Sequence, residues 1–142
     1  MSDLPTPLWA PSDTFKKQSR LTHYMHWLAE QRGLKFEAYA DLWAWSVNQV
    51  EDFWASIWEY FDVMAHSPYQ SVLSHPEMPG ARWFEGSTLN YAEHVFRQAN
   101  ETHPALIFQS ETQPLTEVSW AELRAQTAAM AAFLKAQGVE KG

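Results

Sequence analysis

Between residues 12 and 32 the apolar side chains Leu21, Tyr24, Met25 and Leu28 recur at i, i+3, i+4 and i+7, the stripe of a helix buried on one face. Pro11-Ser12-Asp13 supplies its start and Gly33 its left-handed stop. A shorter helix is predicted over 36–43. Trp45-Ser46-Val47-Asn48-Gln49 then reads as a new N-terminus, with Ser46 as N-cap, Gln49 closing a capping box and Trp45 stapled to Val50. Asn48 with Glu51 offers a second register for the same start. The helix that follows carries the strongest amphipathic pattern in the chain. Val50, Phe53, Trp54, Ile57, Trp58 and Phe61 fall three or four apart, and Glu51, Asp52, Glu59 and Asp62 lie mostly on the other side.

Ser67-Pro68 ends this helical stretch, because proline disfavours helix in the residue before it. From 68 to 88 no period is sustained. Pro76, Pro79-Gly80 and Gly86 punctuate a predicted loop, and its large side chains Met78, Trp83 and Phe84 imply that it is pinned to a surface. A further helix is predicted from Asn90, with Glu93 three residues on and Ala92, Val95, Phe96 and Ala99 as its buried stripe, fading by Asn100. Ala105-Leu106-Ile107-Phe108-Gln109 reads as a buried strand and Leu115 to Val118 as its partner, across the polar turn Ser110 to Pro114. The last helix has the clearest start: Ser119 as N-cap, Glu122 at N3 and Val118 stapled to Leu123. Trp120, Leu123, Met130 and Leu134 make its stripe, and Gly138 its stop.

The predicted class is therefore α+β, mostly helical at first and then a β-hairpin followed by a helix. A two-stranded hairpin is marginal by itself. The pattern is that of an N-terminal piece whose main sheet lies downstream.

Composition sharpens this picture by exclusion. The 142 residues are 46% apolar and 15% aromatic, enough to drive folding. Seventeen acidic against ten basic side chains give a formal charge of −7, so no surface neutralises phosphates, and neither nucleic acid nor membrane is expected as a partner. With no cysteine there is no disulfide, thiolate metal site or cysteine nucleophile. The stretch from Met1 to Pro11 lacks the basic and apolar regions of a secretory signal. The apolar run from Ala128 to Leu134 is far shorter than the roughly 20 residues of a membrane span. A cytoplasmic location is expected. Asn100-Glu101-Thr102 fits a glycosylation triplet and, without a signal, reads as a chance surface tripeptide.

Candidate chemistry is sparse. His23 and His26, three apart on a helix, could reach one metal, but they fall opposite the apolar stripe and have no third ligand at a telling distance. They read as surface histidines. His66, His75, His94 and His103 form no spacing motif. Glu51/Asp52 and Glu37/Asp41 could pair for acid–base work in a glycan cleft beside aromatic rings, but carboxylates early in a helix also simply favour the positive end of its dipole. The Phe53, Trp54, Trp58 and Phe61 rings read as core rather than as a ligand platform. The five glycines build no phosphate cradle, and no G-x-S-x-G, H-E-x-x-H or Walker pattern occurs. No catalytic, cofactor-binding or metal-binding residue is assigned.

Three stretches nevertheless resemble a known family. Tyr39-Ala40-Asp41-Leu42-Trp43-Ala44-Trp45-Ser46-Val47, with Phe53-Trp54-Ala55-Ser56-Ile57-Trp58-Glu59-Tyr60-Phe61-Asp62-Val63, is similar to the N-terminal region of acetoacetyl-CoA synthetases. Met78-Pro79-Gly80-Ala81-Arg82-Trp83-Phe84-Glu85-Gly86-Ser87-Thr88-Leu89-Asn90-Tyr91-Ala92-Glu93 resembles that family's following loop and helix. After Trp83-Phe84 this run departs from the acetyl-CoA and propionyl-CoA synthetase pattern, which favours the acetoacetyl branch. Ala105-Leu106-Ile107-Phe108, Val118-Ser119-Trp120-Ala121-Glu122-Leu123 and Gly138-Val139-Glu140-Lys141-Gly142 resemble the opening of the adenylation domain of acyl-CoA synthetases generally.

The resemblance implies an acid–thiol ligase that joins acetoacetate to coenzyme A with ATP through an acyl-adenylate, using Mg²⁺. It implies a helical N-terminal cap over 1–90 and the start of an α/β AMP-binding (adenylation) domain over 91–142, cut between helix and strand. The family's phosphate loop, adenine and acyl pockets and mobile lysine lie beyond the matched region, so no catalytic residue is carried over and no ATP, CoA or Mg²⁺ is expected on this segment. The rest of the adenylation domain is expected to pack on the aromatic face from Phe53 to Phe61 and on Trp83-Phe84. The competing expectation is a free-standing aromatic-rich module that binds a protein or a glycan.

Overall fold

The computed structural model describes residues 8–140. The stretch read for a secretory signal lies mostly outside the described residues, as do Lys141 and Gly142 at the end of the last family motif. The fold is α+β, with six helices and two two-stranded antiparallel sheets among the described residues. Residues 8–63 and 67–87 make one unit, and 64–66 with 88–140 a second.

The first helical pattern forms two helices rather than one. α1 (Asp13–Gln18) and α2 (Arg20–Arg32) meet at Ser19, whose backbone is extended. Ser19 Oγ accepts from the Thr22 N–H at 3.1 Å, and Thr22 Oγ1 donates to the Lys16 carbonyl at 2.6 Å. Local side-chain bonds thus replace the interrupted helical ladder, a competition that apolar periodicity does not register. Ser12 caps α1 and Gly33, at φ +68°, ends α2, both as expected.

α3 (Tyr39–Asn48) starts later and runs further than the predicted 36–43. Ser46 is not an N-cap: its hydroxyl donates to the Trp43 carbonyl at 2.8 Å. The Asn48 amide likewise donates to the Ala44 carbonyl at 2.8 Å, so both candidate caps are tied inside α3. The break falls at Gln49, after which α4 (Val50–Tyr60) begins without a side-chain cap. α4 ends in a Schellman turn on Asp62 at φ +47°, where the Asp62 N–H reaches Glu59 O and the Val63 N–H reaches Trp58 O.

Tyr24, Leu28 and Leu42 form the buried centre of this unit, lined by Phe36, Trp45, Phe53, Ile57 and Tyr60. Ser56 is fully buried among them. Its hydroxyl donates to the Phe53 carbonyl at 2.6 Å, so the Tyr24 hydroxyl must be the donor to Ser56 Oγ at 2.5 Å. Burial pushes the Tyr24 phenol above its ordinary pKa, against the lowering effect of that hydrogen bond.

The predicted loop over 68–88 contains a hairpin. β1 (Ser71–His75) pairs with β2 (Arg82–Glu85) antiparallel, Ser71 opposite Glu85 and Leu73 opposite Trp83, and the register shifts between Leu73 and His75. That irregularity, two short strands and a proline-rich connection together erase the period-2 signal.

In the second unit α5 (Tyr91–Phe96) is shorter than predicted. Asn90 caps it as expected, its Oδ1 accepting from the Ala92 and Glu93 N–H groups. β3 (Leu106–Phe108) and β4 (Thr116–Val118) form the predicted hairpin in the register Leu106↔Val118. The strand read as buried is open: Leu106, Ile107 and Phe108 are 52%, 63% and 52% exposed. α6 (Trp120–Ala136) has its predicted capping box and ends on Gly138 at φ +82°, but Met130 and Leu134 of its predicted stripe are exposed.

Two sets of variants test these assignments. Tyr24→Phe removes one neutral hydrogen bond and is expected to cost about 1–2 kcal/mol, whereas Ser56→Ala strands a buried phenol hydroxyl and costs more, about 2–3 kcal/mol. Urea denaturation should show the double variant costing less than the sum of the two, the signature of direct coupling. Ser119→Ala is expected to destabilise α6 by about 1 kcal/mol, read as faster amide exchange in its first turn. The Ser119 backbone N–H, and then its hydroxyl, holds the Glu122 carboxyl below its ordinary 4.5. A folded-state pKa below the unfolded one gives stabilisation that is complete above 4.5 and fades as pH falls through the folded value. First-turn exchange in α6 should therefore accelerate on acidification below that point, and Glu122→Gln should remove the dependence.

Candidate functional site

The densest constellation in the first unit is aromatic and is organised by α4. Trp54 meets Trp83 of β2 edge-on, ring centroids 5.7 Å apart. One turn later Trp58 lies 4.4 Å from Phe84 and 5.5 Å from Tyr69, and those two rings are 5.3 Å apart. Phe84 takes φ +48°, a left-handed conformation that costs a bulky residue about 1–2 kcal/mol. Packing between Trp58 and Tyr69 is what holds it there. On another side of α4, Tyr60 lies 4.9 Å from Tyr24 and 5.5 Å from Trp27, while Phe53 meets Trp45 at 5.9 Å. The reading of these rings as core is right for Phe53 and Trp58, which are half-buried. It fails in part for Trp54 and Phe61, 41% and 54% exposed. The inference that Trp83 and Phe84 pin their segment to a surface is met by Trp54 and Trp58.

A polar cluster that sequence reading missed fastens the hairpin. Ser74 Oγ donates to Glu85 Oε2 at 2.6 Å, Arg82 reaches Glu85 Oε1 at 3.2 Å, and His75 Nδ1 lies 3.2 Å from Ser74 Oγ. The Ser74 bond, more than any other group, holds the Glu85 carboxyl below its ordinary range. Serine here sits between histidine and carboxylate, whereas activating a hydroxyl nucleophile needs the imidazole in the middle. The cluster binds strand to strand. It left no motif because its members meet only once β1 and β2 pair.

The sequence-singled histidines do not converge. His23 Nδ1 is hydrogen-bonded to the Tyr60 hydroxyl at 2.7 Å, and His26 is exposed. In the second unit His66 Nε2 pairs with Glu93 Oε2 at 2.6 Å, and the Met64 N–H donates to His94 Nδ1 at 3.4 Å. Glu93 therefore does not close a capping box on Asn90. Glu51 and Asp52 stand exposed in the first turn of α4, Glu37 is exposed ahead of α3, and Asp41 accepts from the Ala38 N–H at 3.1 Å. Among the described residues no three His, Asp or Glu side chains gather as a metal site requires. Asn100 Oδ1 accepts from Thr102 and from the His103 N–H, a local turn.

The same region is where known proteins match. The family described as acetyl-coenzyme A synthetase N-terminus matches residues 39–95, from the start of α3 into α5. Acetoacetyl-coenzyme A synthetase of Rhizobium meliloti (strain 1021) is 32% identical over 136 residues, covering 96% of this chain and 21% of the relative. Acetoacetyl-CoA synthetase of Rattus norvegicus is 32% identical over 140 residues, covering 95% of this chain and 20% of the relative. Acetoacetyl-CoA synthetase from Streptomyces lividans, a solved structure, superposes with a TM-score of 0.86 at 45% identity, covering 97% of this chain and 22% of that one. Over nearly its whole length the chain is similar to part of the acetoacetyl-CoA synthetases. It spans about a fifth of the length of the curated relatives it matches. Two of the stretches that carried the resemblance, Tyr39 to Val63 and Met78 to Glu93, fall inside the matched 39–95. Among the described residues no helix is long and apolar enough to cross a membrane.

The α4–β2 contact makes a direct prediction. Trp54 and Trp83 are each about two-fifths exposed, so truncating either to alanine should cost less than a fully buried tryptophan, about 1–2 kcal/mol. Thermal unfolding followed by tryptophan fluorescence checks this. The Trp54→Ala/Trp83→Ala double variant should cost less than the sum, and strict additivity would dissolve the contact as an energetic unit.

Proposed function

We propose that this chain is the N-terminal part of an ATP-dependent acetoacetate–CoA ligase, which converts acetoacetate, ATP and coenzyme A to acetoacetyl-CoA, AMP and pyrophosphate through an acyl-adenylate. One observation carries the reading. Nearly the whole chain, 96% against the Rhizobium meliloti enzyme and 97% against the Streptomyces lividans structure, aligns with acetoacetyl-CoA synthetases, in the second case with the same fold. In this reading residues 1–90 are a helical cap and 91–142 open the adenylation domain, supported by the change of structural unit at 87/88. The enzyme would act in the cytoplasm, on a small acid, with neither nucleic acid nor membrane as a partner.

The residues described here do not fit the reaction's cofactors. No carboxylate cluster suits Mg²⁺, and no glycine-rich turn precedes a helix to cradle ATP phosphates. This reading puts the catalytic and nucleotide-binding groups outside this segment, whose own contribution is structural. The open apolar strand β3 and the exposed Met130, Phe133 and Leu134 of α6 support this, since a strand apolar on both faces belongs inside a larger sheet.

Pyrophosphate–ATP exchange by the full-length protein tests the assignment. Exchange should depend on acetoacetate and be much weaker with acetate or propionate. Equal or faster exchange with acetate would move the protein to another acyl-CoA synthetase branch, and no acid-dependent exchange at all would overturn the ligase reading.

A further inference from the structure

We draw no further inference here: the strongest candidate, the open cleft of about 730 Å³ between residues 99–104 and the first turn of α6, rests on a helix N-terminus beside the exposed carboxylates Glu101 and Glu117, and the indole N–H of half-buried Trp120, unpaired among the described residues, does not show what ligand it would hold.

Discussion

The first unit hangs on α4 being gripped from several directions. Ser56 and Tyr60 engage Tyr24 on α2, Phe53 engages Trp45 on α3, and Trp54 and Trp58 engage Trp83 and Phe84 on β2. An eleven-residue helix without an N-terminal side-chain cap has little stability of its own. Its neighbours are equally dependent: a two-stranded hairpin needs a surface to lie on, and a left-handed Phe84 needs rings on both sides. Cooperation through α4 is what lets each of these elements exist. The hydrogen bond between the buried hydroxyls of Tyr24 and Ser56 ties one side of α4 to α2.

Much of this was legible in the sequence. The α4 stripe, the Asn90 cap, the β3–β4 hairpin and the Ser119/Glu122 box were all visible, because each is a local pattern in which neighbours along the chain are also neighbours in space. The misreadings have two causes, side-chain bonds to the backbone that periodicity does not register and contacts made far along the chain. Ser19 breaks a helix through bonds to Thr22, and Ser46 fails to break one because its hydroxyl finds the Trp43 carbonyl; the residue type is the same and the backbone partner decides. β1 and β2 were hidden because a register shift and a six-residue connection dissolve alternation, and their stability comes from α4, far away in sequence. The Ser74–Glu85–Arg82 cluster was invisible for the same reason.

The second unit shows the complementary limit. Its local signals were strong enough to place every element, yet none of its described residues is fully buried. β3 keeps Leu106, Ile107 and Phe108 exposed on both faces, with β4 alone beside it among the described residues. Periodicity states which side of an element is meant to be covered and is silent on what covers it. The expectation of a buried strand was thus a correct reading of intent: a continuous Leu-Ile-Phe run specifies an interior strand, and the missing cover is not within the residues described.

Polar groups give an independent measure of the same intent. Water is a sufficient partner for an exposed serine or asparagine, so nothing compels a surface helix to bend its polar side chains onto its own carbonyls. In α3 Ser46 and Asn48 do so, and Asp41 is held at the helix start, leaving Tyr39, Trp43 and Val47 to define the outer side. Burial would cost unpaired polar groups of their size about 1–3 kcal/mol each, a penalty that internal pairing removes in advance.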